Sequence, residues 1–125
     1  MAAGTLVSSG SSLNMPTGSG SERLRRAHIH AISTDWQEIL SGVAGHIYTI
    51  LSIIFVDNQD VAGTISIRMN NGSHNVKILE SHSHAASATF VWSDKFVLEE
   101  DDDLDVYNSV SDGQWIVSYI DQDWT

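Results

Sequence analysis

The stretch HIYTILSIIFVDNQ, residues 46–59, decides the fold. Its β-branched and aromatic residues favour an extended strand, and its apolar part is about half the length that a membrane-spanning helix needs. A period of two places apolar side chains on both faces: Ile47, Leu51, Ile53 and Phe55 on one, and Tyr48, Ile50, Ile54 and Val56 on the other. We expect such a strand to be covered on both faces, by another sheet, a loop or a partner subunit.

The segments on either side of this strand also alternate with a period of two. In GTISIRM, residues 63–69, we expect Ile65, Ile67 and Met69 to point inward, and the NNG that follows predicts a hairpin turn. The only helical signal is a turn at DWQEIL, residues 35–40. Together with the segments AHIHAI, NVKILES, SATFVW, KFVLE, LDVYNSV and QWIVSYI, this pattern predicts an all-β fold, an antiparallel β-sandwich or jelly roll of about eight strands.

The chain divides into an N-terminal arm, residues 1–26, and a β-sandwich domain, residues 27–125. The arm is rich in Gly and Ser, which favours either a flexible terminus or a segment that lies along a neighbouring subunit. It lacks the hydrophobic region of a signal peptide, so we expect a soluble protein without an export signal. Its candidate interface residues are Leu6, Val7, Leu13, Met15, Arg23, Arg25 and Arg26.

The charge of the chain excludes some classes of partner. The formal net charge is -10, with 16 acidic and 6 basic residues. Nucleic acids and anionic lipids are bound by positive surfaces, so we expect neither nucleic acid nor a membrane as a partner. The chain contains no cysteine, which excludes disulfides and thiolate metal sites.

The stretch VLEEDDDLDVY, residues 97–107, concentrates six carboxylates. Counted from Asp101, the spacing approaches that of an EF-hand calcium loop, but the position that requires glycine is Val106. A catalytic pair of carboxylates has no support, because nothing singles out two of the acids. We therefore predict a solvated turn between two strands, with Leu98, Leu104 and Val106 in the core.

Two His-x-His pairs are the other candidates for chemistry. His28 with His30, and His82 with His84, would each share one face of a strand, where two imidazoles can bind a transition metal. Neither pair is followed by the glutamate of the cupin pattern, so we predict histidines at a surface or interface, with no cofactor. A nucleophile motif is also absent, so we do not expect an enzyme. The four tryptophans, Trp36, Trp92, Trp115 and Trp124, are compatible with a carbohydrate-stacking platform, but we expect them in the core or at an interface.

Three segments resemble small all-β structural proteins of tailed bacteriophages, the capsid decoration or cement proteins and related neck and tail components. They are YTILSIIFVDNQ, DKFVLEEDDDLDVY and WIVSYID, residues 48–59, 94–107 and 115–121. The family commonly carries Leu-x-x-Gly-Asp-x-Leu in the middle segment. Leu98, Asp102 and Leu104 fit it, while Asp101 stands where glycine is usual.

The resemblance implies a non-enzymatic virion protein, made in the host cytoplasm, that stabilises the head as a homotrimer bound between major capsid subunits. Tyr48 and Trp124 join the arm residues as interface candidates. The alternatives are a neck, tail or fibre component, and a metal- or carbohydrate-binding β-sandwich of the cupin or lectin kind.

Overall fold

The computed structural model describes residues 21–125, and these form nine β-strands and no helix. None of these residues therefore belong to an apolar helix of membrane-spanning length. The strands are β1 Ser21–Ala31, β2 Gln37–Ser41, β3 His46–Asp57, β4 Gly63–Asn70, β5 Asn75–His84, β6 Thr89–Trp92, β7 Phe96–Leu98, β8 Asp103–Asn108 and β9 Gly113–Asp123.

The strands pair antiparallel in two sheets. Sheet A has the order β1-β9-β3-β6, and the short β7 also pairs with β3, beside its first half. Sheet B has the order β2-β8-β4-β5. The all-β prediction and the antiparallel β-sandwich are confirmed, with nine strands in residues 21–125 where the sequence predicts about eight.

The core lies between the two sheets and is built from alternate residues of each strand. Sheet A contributes Phe55, Trp115 and Val117, and sheet B contributes Ile65, Ile67, Leu104 and Val106, all fully buried. Met69 packs against this core. The inward positions predicted for GTISIRM are therefore confirmed.

Strand β3 contains a bulge that the sequence does not reveal. Ile50 pairs with Tyr119 and Ser52 pairs with Ser118, so Leu51 is an extra residue opposite β9. The bulge shifts the alternation by one, and the inward residues become Tyr48, Ile50, Ile53 and Phe55. The predicted division of this strand into two faces is wrong in both groups, because a uniform period of two was assumed.

Strand β1 begins at Ser21, six residues before the predicted start of the sandwich domain at residue 27. Ser21 pairs with Asp123 and Arg26 with Ser118, so residues 21–26 belong to sheet A rather than to an arm. Leu6, Val7, Leu13 and Met15 lie outside the described residues.

The two turns predicted from sequence have the expected positions. β4 and β5 form a hairpin closed by residues 71–74, in which Gly72 has a φ of 90°. The acidic run is the connection from β7 to β8, where the backbone N–H of Glu99 donates to the Asp102 carboxylate at 2.9 Å. Leu98, Leu104 and Val106 are fully buried, as predicted.

Candidate assembly surface

The outer face of sheet A carries several apolar side chains. Trp115, Val117 and Tyr119 of β9 point into the core, so Ile116 and Ile120 point outward. The outer residues of β3 are apolar as well, because the bulge leaves Ile47, Leu51, Ile54 and Val56 on this side. We call the outer surface of β1, β9, β3, β6 and β7 face A.

Register aligns the apolar side chains of face A in rows across the strands. One row runs from Leu24 through Ile120 and Thr49 to Val97. Side chains opposite each other on neighbouring strands are in direct contact range, so each row is a continuous ridge.

A second row, nearer the other end of the strands, runs from His28 through Ile116 and Ile54 to Val91. Leu24, Val91 and Val97 are 74%, 57% and 45% exposed. They lie at the two edges of the sheet, with the half-buried Ile120, Ile116 and Ile54 between them. Apolar side chains that extend across one face in this way are typical of interaction surfaces.

The predicted interface arginines do not act together. Arg26 lies on face A, beside Leu24 and His28 of the same strand. Arg25 points to the inner side and pairs with the buried carboxylate of Asp121 at 3.5 Å. Arg25 is therefore engaged within its own subunit.

Tyr48 is an incorrect interface prediction. Its side chain is 7% exposed and packs against Tyr119, with the ring centroids 5.0 Å apart. Burial raises its pKa, and the nearby Asp121 carboxylate adds to the effect. The bulge at Leu51 places Tyr48 on the same side of the strand as Ile53 and Phe55, which face the core.

Trp124 remains a surface residue, 37% exposed, at the end of the sandwich where β1 begins. Its backbone N–H donates to the carbonyl of Gly45 at 2.7 Å. With Glu99 and Glu100 it lines a shallow depression of about 280 Å³. The acidic turn thus lies at one end of the sandwich, away from the centre of face A.

His28 and His30 lie on face A, as their spacing predicts. The His30 Nε2–H donates to the Asp112 carboxylate at 2.5 Å. This hydrogen bond and a second one from Asn58 hold the pKa of Asp112 below its usual value. His30 therefore has a carboxylate partner at the rim of face A.

The side chains of His82 and His84 point from sheet B into the space between the two sheets, toward sheet A. The His82 ring lies 4.7 Å from Phe90, and the His84 ring lies 5.2 Å from Phe55. His84 is 8% exposed and its Nδ1–H donates to the Ala85 carbonyl at 2.9 Å. In residues 21–125 no group of three or more His, Asp or Glu side chains is placed to hold a metal ion.

The sequence predicts a second cover for β3 but not the other members of face A. Ile116 and Ile120 carried a signal, because they alternate with Trp115, Val117 and Tyr119 in an eleven-residue strand. No sequence pattern predicts Leu24 as a member of face A, because residues 1–26 are predicted to form an arm.

No protein-family model matches the chain, and no curated protein matches it. Among solved structures, a chain reported under the description "Bacillus endospore appendages form a novel family of disulfide-linked pili" is similar to it. The alignment covers 97% of this chain and 100% of that chain, with a TM-score of 0.49 and 14% identical residues. A similarity at this level does not extend to function.

Proposed function

We propose that this protein is a non-enzymatic structural subunit that assembles with copies of itself through face A. The observation that carries the proposal is the pair of apolar rows across sheet A, with Leu24, Val91 and Val97 exposed at their ends. A second copy of the chain is the occupant that we propose for this surface.

The size of face A supports this proposal. Strands β1, β9 and β3 have eleven, eleven and twelve residues, and β6 and β7 add four and three. At about 3.3 Å per residue and about 4.8 Å between strands, they give a surface of roughly 650 Å². Two copies packed face to face would bury roughly 1,300 Å², within the usual range of about 1,200–2,000 Å² for stable complexes.

The charge distribution supports a copy of the same chain as the occupant. The apolar rows of face A carry no carboxylate, whereas Glu38, Asp103 and Asp105 lie together on the outer side of sheet B. Packing through face A keeps the acidic surfaces of two subunits, each with a net charge of -10, on opposite sides of the assembly. A surface that packs on itself requires a two-fold axis.

The specific role that we propose is that of a virion structural protein. The support is the resemblance of three segments to capsid decoration and related neck and tail proteins, together with a sandwich that has one apolar and one acidic side. In the decoration role the acidic side would be exposed, and the partner would be the major capsid protein. Mass spectrometry of purified particles tests this role, and particles that lack the protein would contradict it.

Sedimentation velocity of the full chain tests assembly through face A. We expect an oligomer whose mass is that of two subunits, whereas three subunits would agree with the homotrimer expected from the resemblance. The variant Leu24→Asp with Val91→Asp should sediment as a monomer, because it introduces charge into both rows.

Val76→Asp is the matched control, since Val76 is 50% exposed but lies on β5 in sheet B. Circular dichroism should show the same strand content for all three proteins. A wild-type chain that is monomeric at every concentration would disprove self-assembly, and an oligomer unaffected by the double change would place the interface elsewhere.

A further inference from the structure

The outer face of sheet B carries an aromatic cavity that assembly through face A does not use. The cavity has a volume of about 260 Å³ and is lined by Trp36, Ser66, Lys77, Leu79, Glu80, Ser81 and Tyr107. Trp36 comes from the loop before β2, and Tyr107 pairs in register with Ser66. The cavity therefore joins a loop to three strands of sheet B.

Two aromatic rings form one side of the cavity. Trp36 and Tyr107 have their ring centroids 5.5 Å apart, with an interplanar angle of 42°. Trp36 is 36% exposed. An exposed indole with a polar surrounding is unusual in a core-packing role and suits contact with a ligand that has an apolar face.

The Trp36 ring is held in place before any ligand binds. The guanidinium of Arg68 lies 4.0 Å from the centroid of the indole, and its Nε donates to the buried Asp105 carboxylate at 3.1 Å. Arg68 is not among the residues that line the cavity. A fixed aromatic ring lowers the entropy lost on binding.

The polar groups of the cavity both donate and accept hydrogen bonds. Lys77 supplies N–H donors and Glu80 supplies carboxylate acceptors, and the two form an ion pair at the rim. The hydroxyls of Ser66 and Tyr107 can do both. Such a mixture of groups matches the hydroxyls of a sugar, each of which is donor and acceptor.

The charges at the cavity do not favour an anionic ligand. The Lys77 ammonium is paired with the Glu80 carboxylate, and the Arg68 guanidinium beside Trp36 is paired with the Asp105 carboxylate. A neutral ligand can bind without breaking either ion pair. A neutral sugar ring offers an apolar C–H face to the aromatic rings and hydroxyls to the polar side chains of the cavity.

We propose that this cavity binds one neutral pyranose ring of a glycan, stacked on Trp36 and Tyr107 and hydrogen-bonded to Lys77 and Glu80. Its volume is near the lower limit for ligand pockets, which suits a single ring rather than a larger ligand. The site lies on sheet B, so its test is separate from that of assembly through face A.

Titration of the ¹⁵N-labelled full chain with D-glucose, D-galactose, D-mannose and N-acetyl-D-glucosamine tests the site. We expect at least one of them to shift the indole N–H signal of Trp36 but not that of Trp124. D-glucuronic acid should bind more weakly than the neutral sugars. Trp36→Ala should weaken binding about tenfold, as loss of aromatic stacking and burial does.

Trp124→Ala is the matched control, since Trp124 is 37% exposed but lies at the end of sheet A. Lys77→Ala and Glu80→Ala change side chains that are 61% and 58% exposed, so they keep the test valid if Trp36→Ala does not fold. Equal binding by wild type and all three cavity variants would overturn the proposal. A Trp36 signal that none of the four neutral sugars shifts would also overturn it.

Discussion

The indole Nε1–H of Trp115 donates a hydrogen bond of 3.0 Å to the side-chain oxygen of Asn108, and both residues are fully buried. The bond crosses the core, because Trp115 belongs to β9 in sheet A and Asn108 to β8 in sheet B. The Asn108 amide also donates to the carbonyl of Val110 at 2.6 Å. One side chain therefore satisfies two polar groups that would otherwise be buried without partners.

Replacing this amide should destabilise the sandwich strongly. In Asn108→Leu the indole N–H and the Val110 carbonyl lose their partners in the core, so we expect the free energy of unfolding to fall by about 2–4 kcal/mol. Urea denaturation followed by tryptophan fluorescence measures it. Asn75→Leu changes an exposed asparagine of β5 and should stay within about 0.5 kcal/mol of wild type. A loss in Asn108→Leu as small as in the control would show that the bond has no net effect.

Gly113 is constrained by the core and not by its backbone conformation. A Cβ at this position would lie 2.5 Å from a ring carbon of Phe55, whose side chain is fully buried. We expect Gly113→Ala to lower the free energy of unfolding by about 1–3 kcal/mol through overpacking.

A double-mutant cycle separates this contact from the loss of a glycine. In the Phe55→Leu background the ring is absent, so Gly113→Ala should cost less than it does in wild type. An equal cost in both backgrounds would place the strain elsewhere.

Asp57 organises the loops at one end of the sandwich. It is 5% exposed and accepts hydrogen bonds from the backbone N–H groups of Gln59, Val61 and Ser87 at 2.8, 3.1 and 2.9 Å. Burial alone raises the pKa of Asp57, but the three donors outweigh it, so the pKa lies below its usual value. The ionised form therefore stabilises the folded state.

This pKa shift gives the stability a defined dependence on pH. Because the folded pKa is lowered, the contribution is complete above the unfolded pKa and is lost as the pH falls through the folded one. Asp57→Asn should cost about 1.5–3 kcal/mol at neutral pH and progressively less in acid. Urea denaturation across a pH series measures the difference, with exposed Asp94→Asn as control. A cost that does not change with pH would contradict this role of the charge.

The contribution of Glu38 to stability should depend on pH in the opposite direction to that of Asp57. Its pKa is raised by burial and by the carboxylates of Asp103 and Asp105, so its stabilising contribution is present below the unfolded pKa and is lost as the pH rises through the folded one. We expect Glu38→Gln to raise the urea midpoint at neutral pH and to have no effect in acid. Glu99→Gln removes the same charge from the acidic turn, and a gain of equal size there would show a general effect of net charge.

The strand pattern of the sequence was sufficient for the fold class but not for every element. Alternation revealed the sandwich, the hairpin at Gly72 and the inward Leu98, Leu104 and Val106. It missed β2, because Ile39 and Leu40 are both buried where the pairing with β8 shifts register. Two adjacent inward residues break the period of two and made this strand resemble a turn.

The candidate surfaces were only partly predictable for the same reason. The faces of β3 depend on one unpaired residue, and its place is set by pairing with β9, which is a tertiary contact. The aromatic cavity needed Trp36 and Tyr107, which are far apart in sequence and meet only through the pairing of β2 with β8. No local pattern contains that information.

The extra residue in β3 changes which alternate positions of the strand face the core, so its two halves follow different alternation patterns. Ile53 and Phe55 face the core and Ile54 and Val56 face outward, yet either pair is apolar enough for either side. Hydropathy therefore does not determine which residues of β3 face the core. The position of the bulge at Leu51 determines it. A one-residue deletion there would exchange the inner and outer sets of the second half of the strand, altering the core and face A in a single step.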